Sequence, residues 1–326
     1  MELICPAGTP AAFQDALDAG ADAIYCGFRN ETNARNFPGL NFSRDEMAEA
    51  IDLASTRQIK TLVAINTFMR AGSETLWTQA VDDAVDLGAH ALILADLGLL
   101  AYAAERHPSQ RLHLSVQAGA CNADYIDFLV AAFRIRRAVL PRVLTIAEVA
   151  AITRKVQCET EVFVFGGLCV MEEGRCSLSS YATSKSPNMD GVCSPASHVR
   201  YRKSGSDMVS ELGAFTINRF GADEATGYPT LCKGRFVVDG ADGYIFEDPA
   251  SLNVLEHIAE LQEAGVAALK IEGRQRGRAY VAQVVSEIRR TMDNVGANGT
   301  SADGDALRSM SEGRRSTKGS YDKRWR

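Results

Sequence analysis

TLVAINTF at residues 61–68 and ALILAD at residues 91–96 are two apolar runs that flank a helical segment. Between these two apolar runs lies a helical pattern that places Ala80, Val81 and Ala84 on one stripe. Near-continuous apolar runs of this length are typical of strands buried on both faces of a parallel sheet. The stretch therefore predicts one strand–helix–strand unit.

The same alternation runs along the whole chain. Eight apolar runs are strand candidates: ELICPAG (2–8), AIYCG (23–27), TLVAINTF (61–68), ALILAD (91–96), LHLSVQ (112–117), AVLPR (138–142), EVFVFGG (161–167) and AALKIEG (267–273). Eight units without a Gly-rich dinucleotide loop after the first run favour a TIM-like (β/α)8 barrel over an open doubly wound sheet. Ser43 with Glu46 predicts a helix start through a capping box, and we expect Ser251 to open a helix that ends at Gly265.

A long loop-rich segment replaces the helix expected after the seventh run. We therefore predict three parts: a barrel built from residues 1–167 and 266–297, an insertion over 168–265 and a C-terminal tail over 298–326. The insertion would leave the barrel at the C-terminal ends of its strands, where barrel enzymes carry their active sites. Tyr321 and Trp325 in the tail predict that it docks onto the rest of the protein.

Composition narrows the class of protein. The chain has 326 residues, of which 46% are hydrophobic and 23% charged, and its net charge is −6. This profile is that of a soluble globular protein, and its acidic balance argues against nucleic acid as a partner. The sequence shows no export signal and no run of the roughly 20 apolar residues that cross a bilayer. We expect a cytoplasmic protein with reduced cysteines.

The cysteines divide into two groups. Four lie in the insertion with the spacing C-x6-C-x16-C-x38-C: Cys169, Cys176, Cys193 and Cys232. The other four are expected to be packing residues: Cys5, Cys26, Cys121 and Cys158. Structural zinc usually takes closely paired ligands, which are missing from the insertion. The wide spacing favours an iron–sulfur cluster, with zinc as the alternative.

The segment EVFVFGGLCVMEEGRCSLSS (161–180) resembles the signature of the collagenase-like "peptidase U" family. The matching positions are Glu161, Phe163, Gly166, Leu168, Cys169, Gly174, Cys176, Leu178 and Ser179. Gly167 departs from the pattern, since the family usually has Ser or Ala there. TNARNFPGLNF (32–42), GYPTLCKGR (227–235) and KIEGRQR (270–276) extend the resemblance over nearly the whole chain. It implies that all four insertion cysteines bind one [4Fe–4S] cluster.

The chain length and the end SMSEG…GSYDKRW (309–325) are most similar to family members that hydroxylate the ring of ubiquinone precursors without oxygen. This resemblance implies a heterodimer with a UbiV-like barrel that carries its own cluster, and prephenate as the oxygen donor. The alternatives are a hydroxylase of ribosomal or transfer RNA, a collagenase-like peptidase and a non-catalytic electron carrier. The sequence contains neither HExxH nor GxSxG, which argues against the peptidase.

Polar residues that follow the strand runs are candidates for the site, because they would meet at the barrel mouth. Lys270, Glu272 and Arg274 alternate along the last run and are the candidate catalytic residues. We expect Arg274 to hold a substrate carboxylate, and Glu272 either to orient Arg274 or to accept a proton. The substrate-binding candidates are Arg35, Asn66, Gln117, Arg142 and Arg175, and Asp96 is a further polar residue at a strand end.

Overall fold

A computed structural model describes residues 1–298 and 307–322. The strands are β1 (Glu2–Pro6), β2 (Ala23–Cys26), β3 (Lys60–Ile65), β4 (Ala91–Leu94), β5 (Arg111–Leu114), β6 (Ile135–Val139), β7 (Glu159–Gly167), β8 (Val199–Ser204), β9 (Asp207–Leu212), β10 (Phe215–Phe220), β11 (Arg235–Val238), β12 (Ala241–Tyr244), β13 (Ser251–Asn253), β14 (Ala268–Ile271) and β15 (Ser316–Thr317). The helices are α1 (Pro10–Asp18), α2 (Arg44–Thr56), α3 (Thr75–Asp86), α4 (Leu97–Arg106), α5 (Ala123–Phe133), α6 (Ile146–Lys155), α7 (Leu178–Thr183), α8 (Ile258–Glu263) and α9 (Arg278–Asn298).

Strands β1 to β7 and β14 form a closed parallel barrel. Each pairs with the next in chain order, and β14 closes the ring by pairing with both β7 and β1. Each of the eight apolar runs overlaps one of these strands, so the predicted TIM-like barrel is confirmed, although β6 begins at Ile135, three residues before its predicted run. The outer faces of the strands pack against the helices in one large core, in which Phe13, Trp77 and Phe165 are almost fully buried.

Helix starts follow local sequence signals where the capping chemistry is strong. The Ser43 side chain accepts a hydrogen bond from the Glu46 N–H, and the Glu46 carboxylate accepts one from the Ser43 N–H, so the predicted capping box at α2 is confirmed. In α3, the predicted stripe of Ala80, Val81 and Ala84 faces the core.

The helix predicted to begin at Ser251 is wrong at its start. Residues Ser251–Asn253 instead form β13, which pairs antiparallel with β7, and the α-helix begins at Ile258 after a short 3-10 turn. A tertiary contact explains the difference. Strand β7 extends past the barrel, and pairing with its free edge stabilises residues 251–253 more than an isolated helical turn would. The Ser251 hydroxyl accepts a bond from the Glu312 N–H and caps no helix.

The insertion contains little regular structure between β7 and β13. A three-stranded antiparallel sheet (β8, β9 and β10) and a two-stranded ribbon (β11 and β12) follow the short helix α7. Long connections join these pieces, and the four insertion cysteines all lie outside the strands and α-helices.

The C-terminal segment docks onto the barrel. Strand β15 adds to β13, and the wholly or nearly buried Ser320 and Tyr321 donate hydrogen bonds to Leu144 O (3.1 Å) and Phe163 O (2.8 Å). The docking predicted for Tyr321 is confirmed, while Trp325 lies outside the described residues. Within residues 1–298 and 307–322, no helix has both the length and the apolar character that crossing a membrane requires.

Candidate active site at the mouth of the barrel

One cavity at the C-terminal ends of the barrel strands brings most of the candidate residues together. Seven of the predicted side chains line it: Arg35, Asn66, Gln117, Arg142, Lys270, Glu272 and Arg274. The cavity measures about 50 Å³, which is room for a few ligand atoms or waters and too little for a whole aromatic acid.

Arg175 and Asp96 do not belong to this cavity. The Arg175 side chain is 62% exposed and its nearest charged partner is Glu172, at 3.3 Å. Asp96 caps helix α4 by accepting a hydrogen bond from the Leu99 N–H at 3.0 Å. Sequence adjacency to Cys176 therefore does not bring Arg175 to the site, and Asp96 has a structural role.

Glu272 anchors Arg35 instead of Arg274. Its carboxylate accepts hydrogen bonds from Arg35 Nε (3.2 Å) and from the Gly167 N–H (2.9 Å). Burial alone would raise the pKa of Glu272, but the charges of Arg35 and Arg142 outweigh burial and lower it to about 2. At neutral pH the carboxylate is therefore a fixed anion and a weak proton acceptor.

Arg274 is a buried cation held by neutral oxygens. Its Nη1 donates to Asn33 Oδ1 at 2.8 Å and its Nη2 donates to Ala34 O, while no described carboxylate lies within 4.0 Å of the guanidinium. Burial, which disfavours the charged form, lowers the pKa of Arg274 to about 10. A guanidinium has five N–H donors, so donors remain for a ligand carboxylate.

The sequence reasoning missed Asn33. This side chain is completely buried in the loop after β2, where its amide also donates to Phe28 O. Asn33 lies in the TNARNFPGLNF segment, whose resemblance to the family pattern could have marked it as a candidate site residue. The sequence gives no indication that this loop reaches across the mouth to the residue that follows β14.

Lys270 lies at the floor of the cavity and begins a chain of buried charges. Its Nζ bonds to Glu161 Oε1 at 2.6 Å and lies 4.0 Å from the centre of the Tyr25 ring. Glu161 in turn contacts Arg137 at 3.3 Å. Burial lowers the pKa of Lys270, and the charge of Glu161 opposes this shift without cancelling it. The Lys270 cation is thus neutralised locally by Glu161.

Arg142 links the cavity to the insertion. Its Nε donates to Glu173 Oε1 at 2.6 Å, its Nη1 donates to Gly167 O, and its guanidinium lies 4.3 Å from the Phe163 ring centre. Burial alone would lower the pKa of Arg142, but the charges of Glu173 and Cys169 hold it above its usual value. Glu173, which sequence reasoning missed, comes from the loop between the first two insertion cysteines.

The four insertion cysteines are free, half-buried thiols. Burial raises the pKa of Cys169, and the charges of Cys193 and Cys232 raise it further. Burial and the charge of Cys193 likewise raise the pKa of Cys232, to about 11. Four separate segments of the insertion thus bring their thiols within electrostatic range of one another.

The cysteine spacing left two alternatives open, an iron–sulfur cluster and a single zinc ion. In the part of the chain that the structure describes, no three His, Cys, Asp or Glu side chains converge on a point as one ion requires. A four-iron cluster is larger than one ion, and each thiolate binds a different iron, so its ligands stand farther apart. The described residues thus lack a single-ion geometry, while the donor set itself, four thiols from separate loops, is the one that a four-iron cluster takes.

The other cysteines are part of the hydrophobic packing. Cys5 and Cys26 are completely buried in the core, as predicted. Cys121 and Cys158 are half-buried and pack against its edge.

The cavity and the cysteines share backbone contacts. Gly167, two residues before Cys169, donates its N–H to Glu272 and accepts from Arg142 through its carbonyl. The Arg35 N–H donates to Gly191 O at 2.8 Å, two residues before Cys193. Two of the four cysteine loops are therefore positioned directly by residues of the barrel mouth.

The cavity lacks the groups of a hydrolytic nucleophile. Among residues 1–298 and 307–322, no histidine lines it, and its Ser115 hydroxyl accepts from Asn66 Nδ2 (3.2 Å) and from the Gln117 N–H (3.2 Å) without a hydrogen bond to a base. A serine needs an adjacent base to become a nucleophile. The mouth therefore has the composition of a binding site for a small anion.

Fold and site together define a (β/α)8-barrel protein with a cationic mouth covered by a cysteine-bearing insertion. The family model of peptidase family U32 matches residues 8–324, and the chain belongs to that family.

Relatives with assigned names include two proteins of RNA modification. The chain is 29% identical over 318 residues to tRNA hydroxylation protein P of Haemophilus influenzae, covering 91% of this chain and 68% of that protein. It is 26% identical over 299 residues to the 23S rRNA 5-hydroxycytidine C2501 synthase of Escherichia coli, covering 90% of this chain and 40% of that protein. A third relative, the collagenase of Porphyromonas gingivalis, is 26% identical over 291 residues, with coverage of 86% and 62%.

Proposed function

We propose that this chain is the iron–sulfur subunit of an oxygen-independent hydroxylase, similar to UbiU, that acts on the ring of ubiquinone precursors. The observation that carries the proposal is the contact between the cysteine loops and the cationic cavity through Gly167 and Arg35. Two relatives that are named for the hydroxylation of transfer RNA and of ribosomal RNA support the reaction class. The similarity of SMSEG…GSYDKRW and the net charge of −6 support a small-molecule substrate.

The proposed cofactor is a [4Fe–4S] cluster bound by Cys169, Cys176, Cys193 and Cys232. When bound, it would supply one-electron chemistry beside the cavity. Arg274 would hold a carboxylate of the oxygen donor, for which we propose prephenate, because this buried cation has free donors and pairs with no carboxylate among the described residues. Since the cavity of about 50 Å³ is too small for the whole donor, the rest of the donor and the ring of the acceptor would lie outside it.

We further propose that the chain works as a heterodimer with a UbiV-like partner. The proposal predicts that co-expression gives a one-to-one complex and raises the yield of soluble protein. Size-exclusion chromatography of the two purified chains provides the measurement. A monodisperse single chain that elutes unchanged in the presence of the partner would contradict it.

Hydroxylation of a nucleobase in transfer or ribosomal RNA is the second candidate, because it is the activity after which two relatives are named. The same cysteines and the same donor acid would serve both reactions. The two candidates differ in the acceptor ring alone, so the acceptor is what an experiment must identify.

The test is to delete the gene, grow the cells without oxygen, and measure quinones and RNA nucleosides from the same culture by mass spectrometry. We expect unhydroxylated ubiquinone precursors to accumulate while hydroxylated nucleosides keep their wild-type level. Loss of a hydroxylated nucleoside with normal ubiquinone would establish the RNA candidate. Unchanged levels of both products would contradict the hydroxylase proposal itself.

A further inference from the structure

Three ion pairs with mostly buried side chains lie beside three of the insertion cysteines. Each pair joins one basic side chain to one glutamate, and the pairs are Arg142–Glu173, Arg35–Glu272 and Lys233–Glu312. The first lies at Cys169, the second at Cys193 and the third at Cys232. Ion pairs that face the proposed cluster are part of the electrostatic field in which it gains and loses electrons.

The Arg142–Glu173 pair is the most deeply buried of the three. The side chains are 5% and 2% exposed, and Arg142 Nε lies 2.6 Å from Glu173 Oε1. Glu173 Oε2 is buried and has no hydrogen-bond partner among the described residues. Glu173 Oε1 is therefore paired with Arg142, whereas Glu173 Oε2 accepts no hydrogen bond from a described donor.

The Lys233–Glu312 pair repeats the arrangement at another cysteine. Lys233 directly follows Cys232, and its Nζ lies 3.0 Å from Glu312 Oε2 and 3.1 Å from Ala250 O. The two side chains are 6% and 13% exposed. Glu312 belongs to the docked C-terminal segment, so a residue far along the chain pairs with the lysine that follows Cys232.

We propose that the carboxylates of Glu173 and Glu312 lower the reduction potential of the cluster at this site. The inference rests on the proposed function, since it requires the cluster. An electron that enters a site with four thiolates is repelled by each nearby fixed anion, and a poorly polarisable interior transmits that repulsion with little loss. The basic partner of each glutamate holds the carboxylate in its buried position, at 2.6 Å for Arg142–Glu173 and 3.0 Å for Lys233–Glu312.

A redox titration of the complete chain, purified without oxygen, tests this inference. The titration uses dithionite with mediators, and the cluster is followed by absorbance and by electron paramagnetic resonance. Glu173→Gln removes the charge and should shift the midpoint potential to a more positive value. Glu173→Asp keeps the charge and should stay near wild type. Glu172→Gln is the matched control, because the neighbouring carboxylate faces Arg175 and Cys121.

Each outcome bears on a different claim. A Glu173→Gln protein with full iron and an unchanged potential overturns the inference, and so does an equal shift in Glu173→Asp, which would indicate a packing effect. If Glu173→Gln holds no iron because Arg142 is left unpaired, Glu312→Gln decides the matter: a positive shift supports the inference and no shift overturns it. Wild-type protein without iron would contradict the proposed function before any variant is compared.

Discussion

The barrel mouth and the cysteine loops meet at Gly167, yet they are held in place in different ways. In the mouth, side chains bind one another: Glu272 holds Arg35, and Asn33 holds Arg274. In the insertion, the cysteines are free thiols, and the hydrogen bond that Cys169 donates goes to a local carbonyl at 3.2 Å. The mouth is therefore preorganised by the protein itself, whereas the cysteine site depends on the metal that we propose it binds.

Removal of the metal should destabilise the insertion and leave the barrel largely unaffected, which is the largest difference we expect between the two regions. We expect a chelator to release the iron and to make the insertion sensitive to protease between residues 184 and 250, while the barrel core stays intact, because four metal bonds replace missing regular structure. Limited proteolysis with mass spectrometry locates the cuts. Equal resistance of the insertion with and without chelator would contradict this dependence.

Two adjacent glycines of β7 differ in how closely they approach Glu272. A Cβ on Gly166 would lie 2.3 Å from the Glu272 carbonyl oxygen, at a φ of +121°, whereas a Cβ on Gly167 would meet only the Glu272 carboxylate end at 2.9 Å. We expect Gly166→Ala to lower the unfolding free energy by about 1–3 kcal/mol. Gly167→Ala should cost clearly less, since a side-chain end can move.

Urea denaturation of the two glycine variants provides the measurement. Similar stability of the two proteins would contradict the close approach of the β7 backbone to Glu272. The Gly167→Ala variant also restores a residue that resembles the usual family pattern at this position.

Arg274→Ala should reduce activity without affecting the metal. Loss of one charge-assisted hydrogen bond costs about 1.5–3 kcal/mol, which corresponds to a roughly tenfold to hundredfold slower reaction if the bond persists in the transition state. Arg278→Ala is the control, because this arginine is 63% exposed and pairs with Asp15 at the surface. Anaerobic ubiquinone synthesis measures both variants. Normal synthesis with Arg274→Ala at full iron content would assign a structural role to this arginine.

The smallest expected effect concerns acid stability. The folded-state pKa of Glu272, about 2, lies below its reference value of 4.5, so its ionised form stabilises the fold above pH 4.5. This contribution is lost as the pH falls from about 4.5 to about 2. In Glu272→Gln, the free energy of unfolding should therefore depend less on pH over that interval than in wild type. Replacement of the exposed Glu263 by Gln serves as the control. Identical slopes for wild type and Glu272→Gln would refute the assignment.

The barrel was predictable because its signal is local. Each strand is a short apolar run and each helix a stripe, so TLVAINTF and ALILAD predict the repeating unit without knowledge of any long-range contact. The prediction failed at Ser251, where a helical pattern was overridden by the free edge of β7, which lies far away in sequence.

The sequence predicted which side chains form the site, but not which residues those side chains contact. Residues after the strands converge on one cavity because the ends of parallel strands share a face. The partners Asn33, Glu161 and Glu173 depend on loop paths and on the register of β14 against β7, which a single sequence does not specify. Arg175 shows the same limit, because it points to solvent although Cys176 follows it.

The most direct test of the central claim is the metal content of the chain purified without oxygen. We expect about four irons and about four acid-labile sulfides per wild-type chain. Cys193→Ala should lose most of the iron, whereas Cys158→Ala, which changes a packing cysteine outside the site, should keep it. One zinc per chain without iron, or an iron content unaffected by Cys193→Ala, would contradict the account.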